Sequence, residues 1–208
     1  MLSNTTGTEN VAVGAYALDA NTEAHENTGI GHNSLTAATT GGQNTALGAA
    51  SGKAITTGTA NVAIGRAALQ ANTTGANNTA VGKDALKANT TGTVNVALGG
   101  SALTTNTTGG NNVAIGFATL QLSTTASDNT ACGYASMNAN TTGNNCTAYG
   151  VNTLQANTTG SDNLAIGRNA LIANTTAGHN TAVGSRALDA NTTGAYNIGI
   201  GNLSLIHI

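Results

Sequence analysis

No proline and no tryptophan occur among the 208 residues, and phenylalanine occurs once. Charged residues make up 7% of the chain and the net charge is −2. An ordinary globular domain is roughly a quarter charged. Without a basic excess there is no electrostatic footprint for nucleic acid. No run approaches the roughly 18 to 20 apolar residues of a membrane-spanning helix, so membrane contact by this segment is not expected. The start, "MLSNTTGTEN", has neither the basic opening nor the apolar centre of a signal peptide. Two cysteines are too few for a disulfide framework. A chain this polar and this small in its side chains would be disordered if its residues came in random order.

The order is far from random. Taking the residue before Asn-Thr-Thr as position 1, a 17-residue unit starts at Ser3 and recurs at Ala20, Ala37, Ala54, Ala71 and onward to Ala190, twelve times without insertion or deletion. Position 12 is always Gly, from Gly14 to Gly201, and position 3 is always Thr, from Thr5 to Thr192. Position 8 is Asn except at Cys146, and position 10 is Ala or Gly throughout. Position 16 is Leu except at Met137 and Gly52. Charges collect in the variable positions, among them Arg66, Lys83, Asp84, Lys87, Arg168 and Arg186. A period that never slips means that every residue occupies a geometric register.

Positions 9 to 11 read "VAI", "TAV" or "VAL", period-2 alternation between an Asn and a Gly, which predicts a short strand. A weaker second strand is expected around the Leu at position 16. The "ANTTG" arc and the constant Gly are turn chemistry. Two short strands and two turns per 17 residues predict an all-β parallel solenoid of twelve coils, each burying its face on a copy of itself. At one strand spacing per coil the rod would be about 55 Å long. The Asn column should hydrogen-bond up the stack. Aliphatics at 11 and 16 are expected in a thin core, with Gly52 a defect that Leu would repair. The small residue at 10 would then face away, packed against further copies of the chain in a homotrimer. On that reading Leu at Ala97 or Ala114 should disrupt assembly.

No constellation points to catalysis, a cofactor or a metal. His25, His32, His179 and His207 fall in different columns, where ligands do not converge. Cys132 reads as a core thiol in an aliphatic column and Cys146 as a substitution in the Asn column; different columns argue against a disulfide. Asn-Thr-Thr matches the glycosylation sequon at Asn4, Asn72, Asn89, Asn106, Asn140, Asn157, Asn174 and Asn191, with turn chemistry as the simpler cause. Tyr16, Phe117 and Tyr134, at positions 13 and 14, are the candidate surface contacts for a receptor or a glycan.

"NVAIGRAAL", "NTAVGKDAL", "NVALGGSAL" and "NLAIGRNAL" resemble the head repeats of trimeric autotransporter (YadA-like) adhesins, and the "NTAVG…AL…NTTG" arrays of phage tail-fibre-like proteins. The resemblance covers essentially the whole chain. It departs from the adhesin heads in its longer period. It implies a left-handed parallel β-roll that is trimeric, non-enzymatic and extracellular: a rod serving as spacer and contact surface of a cell-surface adhesin or a phage tail fibre. Ice binding through threonine ladders is the alternative, set back because the adjacent Thr pair should point to opposite faces. The array is expected to fill residues 1–202. The final "LSLIHI", 203–208, matches the translation of a common sequencing adapter, and Met1 falls at position 16, so both ends are expected to cut through a longer array.

Overall fold

The structure, a computed structural model, describes residues 3–206. It is an all-β solenoid with no helix among those residues. Twelve three-residue strands, β1 (Val11–Val13) through β6 (Val96–Leu98) to β12 (Ile198–Ile200), recur every 17 residues. All are parallel in one sheet whose order follows the chain, and each residue pairs with its repeat equivalent, as Ala63 does with Ala80.

Bonding between coils continues around the whole circumference. The N–H of Thr79 donates to the Asn95 carbonyl at 2.8 Å, that of Thr73 to Thr90 at 2.9 Å, and that of Leu69 to Ala85 at 3.0 Å. A backbone tied to its copy on every arc leaves no loop free to change length. This accounts for the unslipped period.

Only one strand forms per coil. The second strand expected around position 16 is a run of turns instead. There the backbone enters the left-handed region twice, at position 14 (φ 58° at Asp84) and position 16 (φ 50° at Leu86). A left-handed residue cannot continue a strand. Position 7 is left-handed as well, as at Asn77 (φ 58°). At position 12 the glycine is required by contact. A Cβ on Gly65 would lie 2.7 Å from the Gly82 carbonyl of the next coil.

The face of the strand is reversed from the expectation. Ala at position 10 points inward and is fully buried from Ala46 to Ala182, while positions 9 and 11 point out. The core is a ladder of one large side chain per coil, Leu from Leu18 to Leu188 except at Ile55 and Met137, packed against that alanine wall. The interior is too narrow for a large residue on both walls, so the strand contributes its smallest side chain. Ala97 and Ala114 are therefore core residues of the single chain, and Leu there would overpack the coil itself. Cys132 is likewise on the outward face, half-exposed, not in the core.

Gly52 is not a defect. Ile55, at position 2 where most coils carry Asn, turns inward and is fully buried. A Cβ on Gly52 would lie 3.1 Å from Ile55 Cδ1 and 2.9 Å from Leu35 Cδ2. The leucine has in effect moved three residues along the chain.

Candidate functional site

Two asparagine ladders organise the arc that runs from the leucines to the next strand. In the position-8 ladder, Asn61 Nδ2 donates to Asn44 Oδ1 at 3.0 Å and to the Gly75 carbonyl at 2.9 Å, while the Asn61 N–H meets the same Oδ1 at 3.0 Å. The position-2 ladder runs beside it: Asn89 Nδ2 donates to Asn72 Oδ1 at 2.8 Å and to the Gly92 carbonyl at 3.0 Å. The first ladder is legible in the sequence; the second hides behind its resemblance to a turn. Its asparagines are the sequon residues, and Asn72, Asn89, Asn106, Asn140, Asn157 and Asn174 are fully buried. A buried, hydrogen-bonded amide cannot accept a glycan in the folded chain, so those sequons are structural.

Threonine divides its labour between adjacent positions. At position 3 the hydroxyl donates to the next coil, as Thr73 Oγ1 does to the Thr90 carbonyl at 3.1 Å. At position 4 threonine is exposed. Cys146 interrupts the position-8 ladder. Its N–H still donates to Asn129 Oδ1 at 2.9 Å, but its Sγ lies 3.4 Å from the nearest carbonyls. Burial pushes this thiol above the usual range.

The outward sheet face runs through all twelve strands. Each of the twelve strands presents positions 9 and 11, and none of these residues is Asp, Glu, Lys or Arg. Val13, Leu47, Ile115, Tyr149 and Ile166 stand exposed along it. Soluble monomers rarely expose continuous apolar patches beyond a few hundred Å².

Charge is segregated around the coil. All six Lys and Arg lie at positions 13, 14 or 17, with three acids, giving that ridge +3. The other five acids, Glu9, Glu23, Glu26, Asp128 and Asp162, lie at positions 4 and 7 with no cation. Arg66, Lys83 and Lys87 reach Asp84 at 3.5 to 3.7 Å, which shows that positions 13, 14 and 17 of neighbouring coils converge.

The three aromatic candidates are all exposed, and the structure brings two of them together. Phe117 and Tyr134 stack with ring centroids 5.9 Å apart and planes 13° apart. Tyr16 stands away from them, edge-on to His32 at 6.0 Å. Sequence reading missed a second stack, His179 on Tyr196 at 4.8 Å. Their shared position 7, 17 residues apart, was the available signal.

Among the described residues no three His, Cys, Asp or Glu side chains converge as a metal site, and no helix is long and apolar enough to cross a membrane. His207 lies outside the described residues. An open polar cleft of about 450 Å³ borders the first four coils, from Thr8 to Thr59. There His25 Nδ1 accepts from the Thr8 N–H at 3.0 Å and Gln43 donates to Glu26 at 2.9 Å. No known family model, curated protein or solved structure matches this chain.

Proposed function

We propose that the chain is a non-enzymatic structural rod, part of an extracellular adhesin or phage tail fibre, that assembles as a homotrimer through its outward sheet face and serves as spacer and contact surface. The observation that carries this is the face itself: two side-chain columns running the whole rod, apolar or threonine, without a single charge. The small residue at position 10, from which a trimer was expected, is occupied within the chain and does not contribute. The face at positions 9 and 11 takes its place. Parallel copies share one coil spacing, so their columns match along the full length. The resemblance to trimeric adhesin heads supports three copies.

The test is sedimentation of the purified chain, with and without lysine in the face. The wild type is expected at three times the chain mass. Val81→Lys with Ile115→Lys should return it to monomer with unchanged circular dichroism, because a charge is costly only once the face is covered. Cys132 lies on this face, so mild oxidation should link copies through it while buried Cys146 stays free. A wild-type monomer whose Cys132 labels freely would sink the assembly.

Ice binding keeps one observation in its favour, the exposed threonine column at position 4. Its position-3 neighbour is committed to bonds between coils, which leaves a line of hydroxyls and not a plane. Inhibition of ice recrystallisation by the chain separates the two readings.

A further inference from the structure

We infer that the ridge from Lys83 to Arg168 is a binding track for an acidic polysaccharide lying parallel to the rod axis; this deepens the contact-surface reading above and rests on it. The residues concerned share position 13 in successive coils. Lys83 is followed by Gly100, Phe117, Tyr134, Val151 and Arg168.

The centre of the track is an exposed aromatic pair. Phe117 and Tyr134 are both 56% exposed, with their ring planes 13° apart. Phe117 leans over Gly100, where a Cβ would lie 3.3 Å from its ring. The missing side chain at 100 leaves room for the ring. Exposed aromatic rings stack on the C–H faces of sugar rings. Their 5.9 Å offset is comparable to the rise of one sugar in an extended chain.

The ends of the track are cationic. Lys83 stands two coils before Phe117, and Arg168 two coils after Tyr134. Each gap is about 10 Å, and the cations are about 24 Å apart at one strand spacing per coil. Arg168 has no acidic partner among the described residues. At the other end Arg66, Lys83 and Lys87 share the single Asp84, leaving an excess of two positive charges. From Arg66 to Arg168 the ridge holds no other acid. A ligand that stacks at its middle and carries anions at spaced intervals on either side fits this pattern. Carboxylated or sulfated sugars do. Single-stranded nucleic acid is tracked by a continuous cationic groove, whereas position 13 carries no cation between Lys83 and Arg168.

Electrophoresis of the full chain through native gels containing hyaluronan, chondroitin sulfate, a neutral β-glucan or a thymidine oligonucleotide tests the track. Retardation is expected in one or both acidic glycans and not in the other two; which of the two acts distinguishes carboxylate from sulfate recognition. Phe117→Ala with Tyr134→Ala, and separately Lys83→Gln with Arg168→Gln, should each weaken retention by roughly tenfold or more. Tyr16→Ala and Lys53→Gln, off the track, should leave it unchanged. Thermal melts of all variants establish that the fold survives. No retention in either acidic glycan, retention that persists in both double variants, or equal retention by the oligonucleotide would overturn the proposal. Sedimentation of the same samples reports the rod and its assembly independently, so failure of the track is distinguishable from failure of the rod.

Discussion

At Ser123 the position-2 asparagine ladder loses a rung. Position 2 is Asn in the coils on either side, Asn106 and Asn140. Ser123 is too short to reach across the stack, so Asn106 Oδ1 and Ser123 Oγ are both buried without a partner. Leaving a buried polar group unpaired costs roughly 1 to 3 kcal/mol. Three coils later an intact rung shows what is missing: Asn174 Nδ2 donates to Asn157 Oδ1 at 2.9 Å and to the Ala177 carbonyl at 3.0 Å. Ala126 stands to residue 123 as Ala177 does to Asn174, so Ser123→Asn should complete the same two bonds. The expected gain is about 1 to 2 kcal/mol. At roughly 2 to 4 °C per kcal/mol for a chain of this size, a calorimetric Tm rise of several degrees should be visible. An unchanged Tm would show that both atoms already have water partners.

One coil is the smallest unit that can be right or wrong as a whole, and the third-to-fourth coil step shows it. Gly52 and Ile55 exchange roles, one giving up the core position and the other entering it. Gly52→Leu alone should therefore overpack against Ile55 and Leu35 and destabilise by roughly 1 to 3 kcal/mol. Adding Ile55→Asn removes the obstacle and should recover most of the loss. Urea denaturation of the two variants checks this, and a single variant as stable as the double would mean the pair is not coupled. Read from Gly52 alone the position looks like a cavity, because a sequence column records one residue and not what replaces it from another column. The strand shows the same difficulty. Period-2 alternation at positions 9 to 11 fixes that 10 opposes 9 and 11, but not which side is inward. Side-chain size favours the wrong side, since the larger residues belong outside when the facing wall already carries a leucine in a narrow coil. The period, the Asn column at 8, the Gly at 12 and the exposed aromatics were legible because each depends on one residue type in one register. The stack of Phe117 on Tyr134 and the segregation of charge appear only once columns are placed around the coil.

Along the whole rod, each strand touches only its neighbours in sequence. Stability should then be a sum of coils and of the steps between them. Removing residues 88–104 deletes one full period and joins Lys87, at position 17, to Thr105, at position 1. Every column stays continuous: Leu86 meets Leu120 in the core, Asn78 meets Asn112 in the ladder, and Gly82 meets Gly116 at the close approach. The shortened chain should fold cooperatively into a rod shorter by about one strand spacing, 4.8 Å. Removing residues 88–103 instead takes out one residue fewer. All downstream columns then arrive one place late. In a strand a shift of one residue turns every side chain to the other face. Val113 and Ile115 would slip against the pattern set by β5, Ala114 would leave the core wall, and Gly116 would no longer face Gly82 where only a glycine fits. The expected outcome is a chain that loses its cooperative melt and its β circular dichroism from the junction onward, although it is longer than the variant that folds. Equal melts for the two deletions would show that the rod tolerates slippage and that its stability lies in local sequence, not in the register between coils.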